Sequence, residues 1–161
     1  MPEWLPDIIC LEDHDNDPEK YLGHLFSIYE KDFVNGTSLT FGGNRVLTAT
    51  NIIDGKPSTF IHVTTEEQGA ATRTVDLRRC ERMCWIRPII ENSDLDDILI
   101  WENTRGSGKK LKKNVILFFE KGDFVIILLE LKNVYYIVSA YHVRPHTKEK
   151  LLREYATNKQ G

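Results

Sequence analysis

Hydrophobic residues recur every three or four positions after residue 17, which is the spacing of one face of an α-helix. The apolar positions are Tyr21, Leu22, Leu25, Phe26, Ile28, Tyr29 and Phe33. Asp17 suits the N-cap and Pro18 the first helical turn, and Asn35-Gly36 suits the end. The pattern predicts an amphipathic helix that follows an irregular acidic segment, residues 1–16.

From residue 37 the pattern changes to short apolar runs that are separated by turn residues. Two runs, 39–41 and 46–50, flank Gly-Gly-Asn and predict a hairpin. A turn at 54–57 leads into Thr59–Thr64, where the side chains alternate between two faces. This alternation predicts a strand in which His62 shares a face with Phe60 and Thr64.

A polar loop at 66–72 precedes a second predicted helix. Thr74 or Asp76 suits its N-cap, and the helix is expected to end near Arg87 because Pro88 follows. Its apolar line consists of Leu77, Cys80 and Cys84. The two cysteines read most simply as small core residues.

The second half of the chain contains four apolar segments that predict strands. They are Ile98–Trp101, Val115–Phe119, Phe124–Leu131 and Val134–Val143. The last three are joined by short connections with tight turns at Lys121-Gly122 and Lys132-Asn133, which require antiparallel neighbours. The two middle strands are apolar on both faces, so we expect both sides of this meander to be covered.

The last strand places Tyr135, Ile137, Ser139, Tyr141 and Val143 on one face if its alternation is regular. Pro145 and Thr147 then begin a closing helix. Helices first, an antiparallel sheet second and one closing helix predict an α+β fold. With 161 residues and no internal repeat or linker, the chain is expected to form a single domain, 1–161.

Composition narrows the functional classes. The longest apolar runs are too short to cross a bilayer, and the acidic N-terminus does not resemble a signal peptide. Three cysteines do not form a disulfide framework, so we expect a cytoplasmic protein without a membrane partner. The five histidines and three cysteines show no zinc-binding spacing, and no Gly-rich phosphate loop is present, so no metal or cofactor is predicted.

Positive charge is concentrated in two places, although the net charge is −3. Residues 73–87 contain five arginines, and residues 104–113 contain five bases and no acid. Guanidinium groups bind phosphate or carboxylate in a fork-like manner, so the first segment is a candidate anion-binding surface. The alternative is a structural helix whose arginines pair with nearby acids.

The chain also carries, in this order, the strings FIHVTT, DLRRCERMCWIRPIIEN, ILIWEN and YYIVSAYHV followed by KEKLLREY. As an ordered set over residues 59–155 they resemble the phage and mobile-element nucleases of the barnase–EndoU–colicin–RelE superfamily. The resemblance implies a barnase/RelE-like fold and a metal-independent endoribonuclease, used as a toxin or in conflict between mobile elements. Ser139 stands where the family more often has threonine.

The resemblance assigns roles to particular residues. It implies His62 as the histidine, Arg79 and Arg82 as helix arginines and Ser139-Ala140-Tyr141 as the sheet motif. For cleavage by the 2′-hydroxyl we predict His62 in proton transfer, Arg82 at the phosphate, and Ser139 and Tyr141 positioning the substrate. The predicted substrate-binding residues are Arg79, Arg78, Lys110 and Lys113.

RNA is the expected partner, together with an inhibitor or immunity protein if the chain is a toxin. The alternative function is a non-catalytic module that binds RNA or a protein with the same sheet face. The low pI and the acidic segment, which could attract a basic partner, favour this alternative. The segment could also shield the basic site.

Overall fold

The computed structural model describes residues 1–69 and 72–160. The α-helices are α1 (Pro18–Tyr29), α2 (Ser58–Thr64), α3 (Leu77–Arg82), α4 (Ile86–Glu91) and α5 (Pro145–Gln160). The first six strands are β1 (Thr40–Phe41), β2 (Asn44–Leu47), β3 (Ile52–Ile53), β4 (Lys56–Pro57), β5 (Thr65–Glu67) and β6 (Arg73–Val75). The others are β7 (Ile98–Arg105), β8 (Lys112–Phe119), β9 (Phe124–Leu131) and β10 (Val134–His142). The α+β class is therefore confirmed.

The main sheet has six strands in the order β1-β2-β10-β9-β8-β7. The predicted meander is confirmed, since β7, β8, β9 and β10 pair antiparallel with their neighbours. The sheet as a whole is mixed, because β2 runs parallel to β10. This parallel pairing includes only residues 134–136 of β10, and α2 and α3 pack beside the strand.

Both faces of the meander are covered, as its doubly apolar strands predict. One face packs against α1, α2, α3 and α4, which we call the four-helix face. The opposite face packs against Leu151, Leu152 and Tyr155 of α5, and we call it the α5 face. Alternate residues of β8 divide between them, with Leu117 on the four-helix face and Phe118 on the α5 face.

The first helix begins as the sequence predicts. The Asp17 side chain accepts hydrogen bonds from the backbone amides of Glu19 and Lys20, and Pro18 occupies the first turn. The segment before this helix, residues 1–16, is joined to the layer of helices by hydrogen bonds of its backbone. The Ile9 amide donates to the Glu81 carbonyl at 3.0 Å, and the Trp85 indole donates to the Pro6 carbonyl at 2.8 Å.

The predicted strand at 59–64 is wrong, because these residues form α2. Phe60, Val63 and Thr64 are buried, and the Thr64 hydroxyl donates to the Phe60 carbonyl one helical turn earlier. The edges of Phe26 and Tyr29 from α1 meet the Phe60 ring. Packing of this aromatic cluster therefore outweighs the β-propensity of the β-branched residues.

The second predicted helix starts correctly but does not run continuously to Arg87. Asp76 caps α3 by accepting from the amides of Arg78 and Arg79. A 3₁₀ turn, Met83–Trp85, separates α3 from α4. Pro88 lies in the first turn of α4, where backbone amides have no partner inside the helix, so proline is tolerated there.

A β-bulge changes the alternation of β10. Ile137 pairs with Leu128 and Ser139 with Ile127, so Val138 is the extra residue. Ser139 and Tyr141 share a face, as predicted, and the structure shows that it is the α5 face. Ile137 faces the four-helix side instead. The prediction that all odd-numbered residues of this strand share one face is wrong.

Candidate functional site

An open cleft of about 800 Å³ lies where the start of α3, the end of β10 and the start of α5 meet. Its charged and aromatic lining consists of Arg78, Arg79, Arg144, His142, His146, Tyr141, Glu66 and Asp76. Two exposed apolar residues, Val75 and Leu77, form part of its rim. Three guanidinium groups and two imidazoles face two carboxylates, so the cleft suits an anionic ligand with an apolar portion.

Arg79 is the fixed cation of this cleft. Its Nη1 donates to the His62 carbonyl at 2.9 Å, which joins α3 to α2. Its Nε lies 3.4 Å from Oδ2 of Asp76, a contact that is an ion pair rather than a hydrogen bond. The guanidinium also lies over the Tyr141 ring, 5.2 Å from the centroid.

Tyr141 is half-buried, with the Arg79 guanidinium over its ring. Burial raises the pKa of its phenol, while the positive charges of Arg79 and Arg105 act in the opposite direction. The net shift is upward, so the phenol is protonated at neutral pH and is a hydrogen-bond donor. Ser139 lies two residues earlier on the same face. Of the predicted site residues, the structure thus places Tyr141 with Arg79, whereas His62 and Arg82 are not in the cleft lining.

The structure adds His142 and His146 to the cleft. His142 is the last residue of β10 and His146 is in the first turn of α5. Burial lowers the pKa of His142, and the nearby charges of Arg82 and Arg78 lower it further. In the sequence the two histidines lie on either side of Pro145, and His142 directly follows Tyr141. A search for metal-ligand spacing does not detect this arrangement.

His62 lies beside the cleft on α2 rather than on the sheet. Its backbone carbonyl, and not its ring, makes the contact with Arg79. Burial lowers the pKa of the His62 imidazole, and the charges of Arg73 and Arg79 lower it further. His62 is not among the residues that line the cleft.

Arg82 is turned away from Tyr141. Its Nη1 donates to the Arg78 carbonyl at 3.2 Å and to Glu81 at 3.1 Å, and its guanidinium lies over the Trp85 ring. The side chain is 13% exposed, so contact with a substrate phosphate would first require it to leave these partners. This arrangement matches the structural-helix alternative for Arg82, whereas Arg78 and Arg79 face the cleft.

The two predicted lysines lie outside the cleft lining. Lys110 is exposed on a 3₁₀ turn, Gly108–Lys110, in the β7–β8 connection. Lys113 pairs with Glu102 at 3.1 Å and with Glu130 at 3.2 Å. Its place in β8 puts it on the four-helix side of the sheet, opposite Tyr141.

Neither buried cysteine offers a nucleophile. Burial raises the pKa of Cys80 to about 12 and that of Cys84 to about 11, so both are thiols at neutral pH. Within 1–69 and 72–160, no three His, Cys, Asp or Glu side chains are grouped so that they could hold a metal ion. No helix in this part of the chain is both long and apolar enough to cross a membrane.

Lowering the pH from 7.5 to 5.5 is expected to reduce the free energy of unfolding. The folded state lowers the pKa of His62 and His142, so the unfolded chain takes up protons more readily near and below pH 6.5. The stabilising contribution is therefore fully present above pH 6.5 and is lost as the pH falls through the folded pKa. Urea titrations of the wild type and of His62→Gln should show a shallower pH dependence in the variant.

A His62→Gln variant whose pH dependence is as steep as that of the wild type would contradict the proposed origin of the effect.

Comparison of the chain with protein-family models, with curated proteins and with solved structures gives no match. The functional argument therefore depends on the residues of the cleft and on their geometry.

Proposed function

We propose that the chain is a metal-independent endoribonuclease that uses this cleft to cleave RNA through attack by the neighbouring 2′-hydroxyl. One observation carries the proposal: arginines, imidazoles and a tyrosine from α3, β10 and α5 line a single open cleft. The reaction needs cations around a crowded phosphorane together with groups that move two protons. The resemblance to barnase/RelE-like nucleases supports the same reaction.

The cations have separate roles in this proposal. Arg79 is held by His62 and Asp76, so its position is fixed before substrate binds. Arg78 and Arg144 are exposed, and within the described residues neither forms an ion pair with a carboxylate. Their guanidinium groups are therefore available to a phosphate, which gains charge as the 2′-oxygen attacks.

The two imidazoles of the cleft supply proton transfer. His142 is neutral at neutral pH because its pKa is lowered, so it accepts the proton of the 2′-hydroxyl. The 2′-oxygen forms a bond to phosphorus as the bond to the 5′-oxygen breaks, and His146 donates a proton to the departing 5′-oxygen. The products are a 2′,3′-cyclic phosphate and a 5′-hydroxyl.

The first test is incubation of the protein with a single-stranded RNA and with DNA of the same sequence in excess EDTA. We expect cleavage of RNA to fragments with cyclic phosphate ends and no cleavage of DNA, because DNA lacks the attacking hydroxyl. Cleavage of both, or 3′-hydroxyl products, would contradict the mechanism. RNA binding without any cleavage would favour the alternative, a non-catalytic binding module.

Removal of the exposed guanidiniums should weaken substrate binding. The double variant Arg78→Gln/Arg144→Gln is expected to raise KM for RNA about tenfold or more, because each charged contact with phosphate contributes about 1 kcal/mol at an exposed position. Arg45→Gln/Arg153→Gln removes the same charge at exposed positions outside the cleft. An equal KM change in the control would show that only net charge matters.

The toxin hypothesis is tested in cells. Induced expression should arrest growth if the chain degrades essential RNA, and His142→Ala should relieve the arrest at equal protein level. Continued arrest by the variant would assign toxicity to something other than cleavage in this cleft.

A further inference from the structure

The β7–β8 connection presents unpaired positive charge on the α5 face. Trp101 belongs to the α5 face, and β7 and β8 pair without a register shift, so Arg105 and its partner Lys112 lie on this face too. Lys109 and Lys110 are exposed at the turn between the strands. Within the described residues, none of these four side chains forms an ion pair with a carboxylate.

The conformation of this connection is defined by glycine. Gly106 has a φ of +89°, and a Cβ at this position would lie 2.4 Å from the Lys110 carbonyl oxygen. Gly108 also has a positive φ, +58°. Since other residues rarely adopt these conformations, the two glycines fix a turn that holds the lysines at the tip.

Two partly exposed hydroxyl residues, Ser139 and Tyr141, lie on the same face of the sheet. Asn114 of β8 also belongs to this face but is buried. The charge of Arg105 is close enough to influence the Tyr141 phenol, on which Arg79 also acts. The Tyr141 phenol is thus influenced by the guanidinium of the cleft, by the first base of the β7–β8 connection and by the Glu154 carboxylate of α5.

We propose that residues 105–112, which we call the basic arm, bind the continuation of an RNA strand whose cleaved phosphate lies in the cleft. The strand would leave the cleft past Tyr141 and Ser139 and continue to the arm, and the substrate would therefore be a single-stranded polynucleotide rather than a short oligonucleotide. Lys113, which pairs with two carboxylates on the other face, takes no part. The inference about the cleaved strand rests on the proposed function, whereas binding by the arm does not require cleavage.

An RNA strand fits the basic arm better than an acidic protein does. The four cations follow one another along a narrow hairpin, and cations that follow the nucleic-acid backbone are typical of single-strand binding. The one large apolar residue of the arm, Leu111, is exposed, and it is a small surface for a protein interface.

The test compares a dinucleotide with a single-stranded RNA of about 16 nucleotides, using the triple variant Lys109→Gln/Lys110→Gln/Lys112→Gln. Loss of three phosphate contacts should weaken binding of the long RNA at least tenfold and reduce the slope of log Kd against log salt by about 2. Cleavage of the dinucleotide should remain within about twofold of the wild type. Lys31→Gln/Lys121→Gln/Arg153→Gln, with the same charge removed elsewhere, should bind the long RNA like the wild type.

Three other results would contradict the proposal that the basic arm binds RNA separately from the cleft. Unchanged affinity of the triple variant for the long RNA would show that the arm does not bind it, and preferential binding of an acidic peptide would assign the arm to a protein. An equal loss of dinucleotide cleavage would show that arm and cleft are not separate. If the wild type binds the long RNA through the arm but cleaves neither substrate, the proposed endoribonuclease function is wrong, whereas RNA binding by the arm is confirmed.

Discussion

Replacing His142 by alanine is expected to slow RNA cleavage in excess EDTA by about 10²–10⁴-fold, which is the usual contribution of a positioned general base. His142 lies in the cleft, and its lowered pKa keeps the imidazole unprotonated at neutral pH. The variant should lose kcat with little change in KM, because Arg78 and Arg144 still bind the phosphate. Single-turnover cleavage of a labelled RNA measures this loss directly.

The pH profile distinguishes a base from a residue that only shapes the cleft. The acidic limb of the wild-type profile should lie below the ordinary histidine pKa of about 6.5 and should disappear in His142→Ala. His24→Ala, at an exposed histidine on α1, should cleave like the wild type. His62→Ala separates the two histidine hypotheses. If His62→Ala slowed cleavage more than His142→Ala, the base would be His62, the residue that the sequence predicted, and not His142.

The meander was predictable because its signals are local. Strand β9 is apolar on both faces over nearly its whole length and β8 from Val115 to Phe119, and the connections between the last three strands are short. Few other arrangements satisfy such a pattern. The N-cap of α1 was predictable for the same reason, since Asp17 bonds residues two and three positions later.

The helix at α2 was not predictable from local alternation. The segment Ser58–Thr64 is rich in β-branched residues, and at this length helical and strand patterns overlap. Contacts with α1, which lies about 30 positions earlier in the sequence, decide the structure. Phe60 packs between Phe26 and Tyr29, and no local signal encodes this contact.

The cleft depends on contacts between distant parts of the chain. The sequence identified the arginine segment and the Ser139–Tyr141 face, but it could not show which arginine reaches the sheet. Arg78 and Arg79 are adjacent, so an error of one residue in the predicted helix would exchange their orientations. The helix is interrupted at Met83, and Arg82 lies over Trp85. The bulge at Val138 has no sequence signal at all, since Val138 is a common strand residue.

Replacing Arg79 by alanine is expected to lower the free energy of unfolding by about 2–3 kcal/mol, the usual effect of losing a hydrogen bond from a charged group in a partly buried position. The variant leaves the His62 carbonyl without its donor and Asp76 without its ion-pair partner, and it uncovers the Tyr141 ring. Urea titration with tryptophan fluorescence measures the change, because Trp85 is buried in the same helical layer.

Arg78→Ala is the matched control for this stability measurement. Arg78 is the adjacent arginine of α3, and its exposed side chain should cost less than about 0.5 kcal/mol when removed, as is usual for surface positions. Arg79→Lys retains a positive charge but cannot bridge α2, Asp76 and the Tyr141 ring with one planar group, so it should recover only part of the stability. If Arg79→Ala were as stable as Arg78→Ala, the contacts of Arg79 with α2 would not contribute to stability. The inference that these contacts fix Arg79 beside Tyr141 before substrate binds would then be wrong.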